Sequence, residues 1–150
     1  MMPMLQDYFD RLQFLHVDFR RAIEGLPPEA LDWSPGLDMN STAVLAVHTA
    51  GSERYWIGDV IGRDPSGRVR ESEFQARGLT AAELLARLDA ALAHSQSVID
   101  RLTPADLEKK CTTLRDGREV SVAWALSHTL EHTAIHLGHV QLMRQLWEQR

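Results

Sequence analysis

Trp124-Ala125-Leu126-Ser127-His128-Thr129-Leu130-Glu131-His132-Thr133-Ala134-Ile135-His136-Leu137-Gly138-His139 is the stretch whose reading decides the fold. It holds no proline, Ser121 or a near neighbour can cap its start, and Leu142, Leu146 and Trp147 extend the pattern beyond it. It reads as one long helix. At 100° per residue His128, His132, His136 and His139 fall within an arc of roughly 80°. Side chains four apart stand one above the other, so His132 and His136 can aim two imidazole nitrogens at a single ion. A third histidine from a facing helix would complete a three-ligand site. The open fourth position of such a site separates a reactive metal from a structural one.

The third histidine is His48. It shares a helical face with Val44, Ser52 and Tyr55, at a position where a bundle core would more naturally carry an aliphatic residue. Taken singly, each histidine reads as a rim or core residue bonded to a carbonyl or hydroxyl. An i, i+4 pair also arises by chance. The conjunction of His48, His132 and His136 is what points to a metal.

Outward from these residues, three more amphipathic helices are expected. Tyr8, Phe9, Leu12, Leu15, Phe19 and Ile23 recur at three- and four-residue steps in a helix from Leu5 that ends near Gly25. The segment from Leu26 to Asn40 contains three prolines and reads as a long connection. Asn40 or Ser41 caps a second helix that runs to about Gly62. A polar, arginine-bearing loop follows to Gly78, and its Arg63, Arg68, Arg70 and Arg77 read as solvated charges, with carboxylate reception at a pocket mouth as the functional alternative. Thr80 and Glu83 form a capping box before a third helix with Leu84, Leu85, Leu88, Val98 and Ile99 on its apolar stripe. Thr103-Pro-Ala-Asp106 predicts one further turn. Cys111 to Val122 is either a small hairpin about Asp116-Gly117 or extended chain.

Four helices, none apolar all round, bury their stripes against one another most simply as a four-helix bundle, all-α, in one domain over 1–150. Connections of this length leave the helix order open. The net charge of −5 argues against a nucleic-acid surface, and no apolar run is long enough for a membrane span. A start without a leader pattern and a lone Cys111 make a reducing cytoplasm the expectation. Cys111 itself reads as a small packed or surface residue rather than a nucleophile, and Gly138 as a point of close helix approach.

Asp32-Trp33-Ser34-Pro35, the run from Asn40 to His48, Trp124-Ala-Leu-Ser-His128 and Glu131-His132-Thr-Ala-Ile-His136-Leu-Gly138-His139 together resemble the DinB/YfiT-like metalloenzymes over essentially the whole chain. That resemblance implies a four-helix bundle holding a divalent ion, zinc or nickel, on His48, His132 and His136, in a chain that forms a homodimer. It also implies a reaction class. Relatives include thiol transferases using bacillithiol or glutathione and a mycothiol-dependent maleylpyruvate isomerase, so the expected activity is transfer of a low-molecular-weight thiol to an electrophilic small molecule. A metal-dependent hydrolase and a non-catalytic metal-binding stress protein stand beside it. His128 is open as fourth ligand, outer partner or proton shuttle, with His139 and Glu131 as weaker candidates for the same duties.

Overall fold

Apolar stripes on four long helices set the architecture of the computed structural model, which describes residues 1–150. Helix α1 spans Pro3–Ile23, α3 Thr42–Glu53, α5 Ala81–Ile99 and α6 Val122–Gln149. The connections hold two short helices, α2 at Pro28–Asp32 and α4 at Arg70–Glu73. A single 3₁₀ turn at Pro104–Asp106 precedes the strands β1, Lys110–Thr112, and β2, Glu119–Ser121. The strands pair antiparallel with Cys111 opposite Val120, which resolves that segment as a hairpin. Both of these residues face inward onto the base of the bundle.

The starts and stops follow from local chemistry. Ser41 accepts from the Val44 amide, Ser121 accepts from the Trp124 amide, and Thr80 and Glu83 close a reciprocal capping box, each satisfying amides that a helix start leaves free. Helix α1 ends at Gly25, whose φ of 77° is a conformation other residues adopt at a cost.

Side-chain contacts define the helix order that the connection lengths had left open. Tyr8 Oη donates to the Leu126 carbonyl near the starts of α1 and α6, and Arg144 Nη1 donates to the carbonyls of Arg21 and Glu24 at their far ends, so these helices run parallel. Helix α3 is antiparallel to α6, because His48 meets His132 while Trp56 meets Trp124. One apolar cluster joins Ala43–Ala50 of α3 to Leu84–Ala91 of α5, and the other joins Tyr55–Ile61 to Val98 and Ile99, which makes α3 and α5 parallel. Around the bundle the neighbours are α1, α6, α3 and α5, and taken in chain order α1, α3, α5 and α6 run up, down, down and up. The segment between α3 and α5 must therefore return along the length of the bundle. It carries α4 across the face of α3.

Two departures from a regular bundle lie on α3. Its continuation over Arg54–Ile61 is π-helical, and Tyr55 through Ile61 are buried on every side. Such wide turns concentrate at functional sites. The helix does not end on a left-handed glycine: Arg63 takes that conformation with φ 55°, while a Cβ on Gly62 would press on the Gly58 carbonyl at 2.7 Å and the Val98 side chain at 3.1 Å. Gly62 thus serves packing against α5 rather than the turn. Gly138 does the reverse of what its position suggests, since a Cβ there would meet nothing within 4 Å. No neighbouring helix approaches at Gly138.

Between the two apolar clusters lies a polar layer. Glu53, 1% exposed, accepts from Ser95 Oγ at 2.7 Å and pairs with His16 Nε2 at 2.6 Å. Its charge adds to burial in raising the Tyr8 phenol above its usual range.

Candidate metal centre

The antiparallel pairing of α3 and α6 brings His48, His132 and His136 together. His48 Nε2 lies 3.1 Å from His132 Nε2, and His136 Nε2 lies 3.2 Å from the same atom. One ligand nitrogen from each of the three falls within 4.8 Å of the others. Three imidazoles at tetrahedral positions about a zinc-like ion, with metal–nitrogen bonds of about 2.0–2.1 Å, would have nitrogens about 3.3–3.4 Å apart. The cluster therefore fits such an ion.

Protonation agrees with the geometry. Burial first, then the neighbouring His136 and His48, push the His132 imidazole down to about 3. Burial, then His48 and His139, push His136 down to about 4. Both are neutral at physiological pH and keep the lone pair a ligand requires. In His48 the tautomer follows from its partner. Nδ1–H donates to Glu73 Oε2 at 2.8 Å, so that Nε2 is the nitrogen turned toward the other two rings.

Glu73 had no signature in the sequence. It sits on the four-residue α4, within a stretch that reads as polar loop, and reaches the site only because the crossover passes over α3. Burial alone would raise its carboxyl, but hydrogen bonds from Arg68 and His48 more than offset this and hold it below the ordinary value. Arg68 donates from Nε to Oε1 at 2.5 Å and from Nη2 to Oε2 at 2.9 Å. Arg68 is thus a working part of the site and departs from the expectation of a solvated charge. Gly51 makes the approach possible: a Cβ at that position would fall on the Glu73 carboxylate. A histidine ligand's need for an outer acceptor was the one clue to a carboxylate here, and it does not say which one.

The remaining candidates separate. His128 stacks on Trp124 at 4.9 Å and meets Trp56 at 5.0 Å, with its ring centroid 5.8 Å from that of His132. It forms an aromatic wall one turn from the triad and is not in the ligand cluster. His139 Nδ1 lies 3.4 Å from His136 Nδ1, so it is an outer neighbour of one ligand. Glu131 is exposed and makes no hydrogen bond to the triad. Phe74, directly after α4, covers His48 with ring centroids 5.0 Å apart. Arg77 is exposed. Cys111 is buried away from the histidines, and burial raises its thiol, as expected of a packed residue.

No helix is long and apolar enough to cross a membrane. Among solved structures, a conserved protein from Enterococcus faecalis matches with a TM-score of 0.84 at 15% identity, covering 100% of both chains. A variant of the mycothiol-dependent maleylpyruvate isomerase matches with a TM-score of 0.67 at 14% identity over 91% of this chain, which spans 60% of that enzyme's length. At these identities the likeness is one of fold. No curated protein sequence matches the chain. The model of the DinB superfamily matches residues 11–140, which takes in α3, α5, most of α1 and α6, and His48, His132 and His136, and the chain belongs to that superfamily.

Proposed function

We propose that the protein is a divalent-metal-dependent enzyme that activates a low-molecular-weight thiol for transfer to an electrophilic small molecule. The observation that carries this reading is the convergence of three imidazoles from two helices, one of them oriented by a buried carboxylate. His48, His132 and His136 would hold the ion; imidazoles accept zinc, nickel, iron and copper alike, and the family resemblance favours zinc or nickel. Three neutral ligands leave the ion's charge uncompensated, so when bound it lowers the pKa of a thiol or water in its open position. The chain's own residues do the rest. Glu73 and Arg68 fix the His48 ring, Phe74 shields it, and Trp56, Trp124 and His128 provide a wall that orients a ligand and excludes water. The likeness to a mycothiol-dependent isomerase favours a thiol over water as the group activated. A soluble homodimer in a reducing cytoplasm is part of the same proposal.

Metal analysis of purified protein and of His48→Ala, followed by thiol-consumption assays across several thiols and electrophiles, tests it. Stoichiometric metal lost in the variant and thiol-dependent turnover lost with it are the expected results. Turnover independent of thiol would assign hydrolysis instead. Metal-dependent thermal stability without any turnover would reduce the ion to a tether between α3 and α6.

A further inference from the structure

Two hollows of about 300 and 280 Å³ adjoin on the face beside α4, sharing Asp59, Pro65 and Leu114 in their walls. Five cations line them, Arg63, Arg68, Arg70, Lys110 and Arg115, against only two carboxylates, Asp59 and Glu71. Asp59 is already neutralised, by Arg54 Nη1 at 2.6 Å and Ser66 Oγ at 2.8 Å. Arg63, Arg70, Lys110 and Arg115 have no carboxylate within ion-pair distance. In a chain of net charge −5 this is a local reversal of sign.

The cations come from separate parts of the chain. Arg63, Arg68 and Arg70 belong to the crossover, while Lys110 and Arg115 belong to the hairpin, whose loop is fastened by the Arg115 amide donating to Tyr55 Oη at 3.2 Å. Arg63 holds its place in the left-handed region, a backbone conformation that costs energy in a non-glycine residue and gathers at binding sites. Arg70 lies over Phe74 with Cζ 4.8 Å from the ring centroid, and Arg68 lies over Tyr55 at 5.5 Å. Both guanidinium groups are thereby positioned before any ligand arrives. Arg68 uses two of its five N–H donors on Glu73 and retains three.

We infer that this paired hollow binds the anionic end of a small molecule, a carboxylate or phosphate group, whose reactive end lies at the histidine cluster. Tyr55 follows His48 by two helical turns on the same face, so the two ends are about 10 Å apart. That separation selects an elongated ligand of metabolite size with its charge remote from the reacting atom. The link between the two ends rests on the proposed function; the anion site itself does not.

Calorimetric titration with succinate and, separately, inorganic phosphate tests the inference on the zinc-loaded protein. At least one probe should bind saturably, and Arg70→Gln combined with Arg115→Gln should weaken it at least fivefold, as loss of charge-assisted bonds requires. Arg11→Gln with Arg150→Gln, remote from the hollows, should leave the affinity unchanged. Tighter succinate marks a dicarboxylate ligand and tighter phosphate a phosphate ester, and either supports the site. Absence of saturable binding up to about 50 mM, or a loss smaller than fivefold in the double variant, overturns it. Anion binding that persists while thiol turnover fails would refute the proposed function alone.

Discussion

Replacing Glu73 isolates the contribution of a residue that touches no metal. Its Oε2 receives the His48 Nδ1 proton at 2.8 Å in a buried setting, and the bidentate Arg68 contact stops the carboxylate from turning away. Glu73→Ala frees the imidazole to rotate and to take the other tautomer, which places a hydrogen where a lone pair is needed. Loss of such an outer partner weakens metal affinity about ten- to hundredfold, equivalent to about 1.4–2.8 kcal/mol. Glu73→Gln should fall at the lower end, since its amide oxygen can still accept from Nδ1 while the negative charge is lost. Gly51→Ala should reproduce part of the effect from the opposite side of the contact, because its methyl group would displace the same carboxylate. The assay is competition for zinc against a chromophoric chelator at neutral pH, with circular dichroism to verify the helical content. A Glu73→Ala affinity within threefold of wild type would refute the reasoning and reduce Glu73 to a structural ion-pair partner of Arg68.

Glu53→Ala leaves His16 and Ser95 without their buried acceptor and should cost about 3–5 kcal/mol, read as a fall of roughly 10 °C in the midpoint of thermal unfolding. Gly138→Ala should do the opposite, raising stability by up to about 1 kcal/mol in denaturant titration, because the added methyl meets open space on a continuous helix. The metal-free protein should lose stability on acidification below about pH 6.5. There the histidines of the unfolded chain take up protons, whereas folded His132 and His136 resist until about 3 and about 4, so the unfolded state binds more protons throughout that window. Urea midpoints that stay flat between pH 7 and about pH 4.5 would contradict this.

The helices were legible because burial on one face imposes a 3.6-residue period, and α1, α3, α5 and α6 each carry it; their starts at Ser41, Thr80 and Ser121 were legible because a side chain must satisfy the free amides there. The pairing of His132 and His136 on one face could be read from spacing alone, and His48 from an imidazole standing where an aliphatic residue is the norm. Other features had no periodic signature. Tyr55 through Ile61 in the π-helical turns after Glu53 are buried on every side, so their hydrophobic pattern carries no period that would separate a π-helix from an α-helix. Gly138 and Gly51 look alike as helical glycines, yet one faces open space and the other a carboxylate, a difference that depends on what lies across the helix.

Local periodicity and capping chemistry act between residues a few positions apart, and these determined from sequence alone that four helices form and which imidazoles share a face. The up-down-down-up order, the passage of α4 over α3, and hence the arrival of Glu73, Arg68 and Phe74 at His48 were decided only in three dimensions. The reason is physical: a long crossover can return along more than one face of a bundle at little difference in chain entropy, so its path is chosen by side-chain complementarity between segments far apart in the chain.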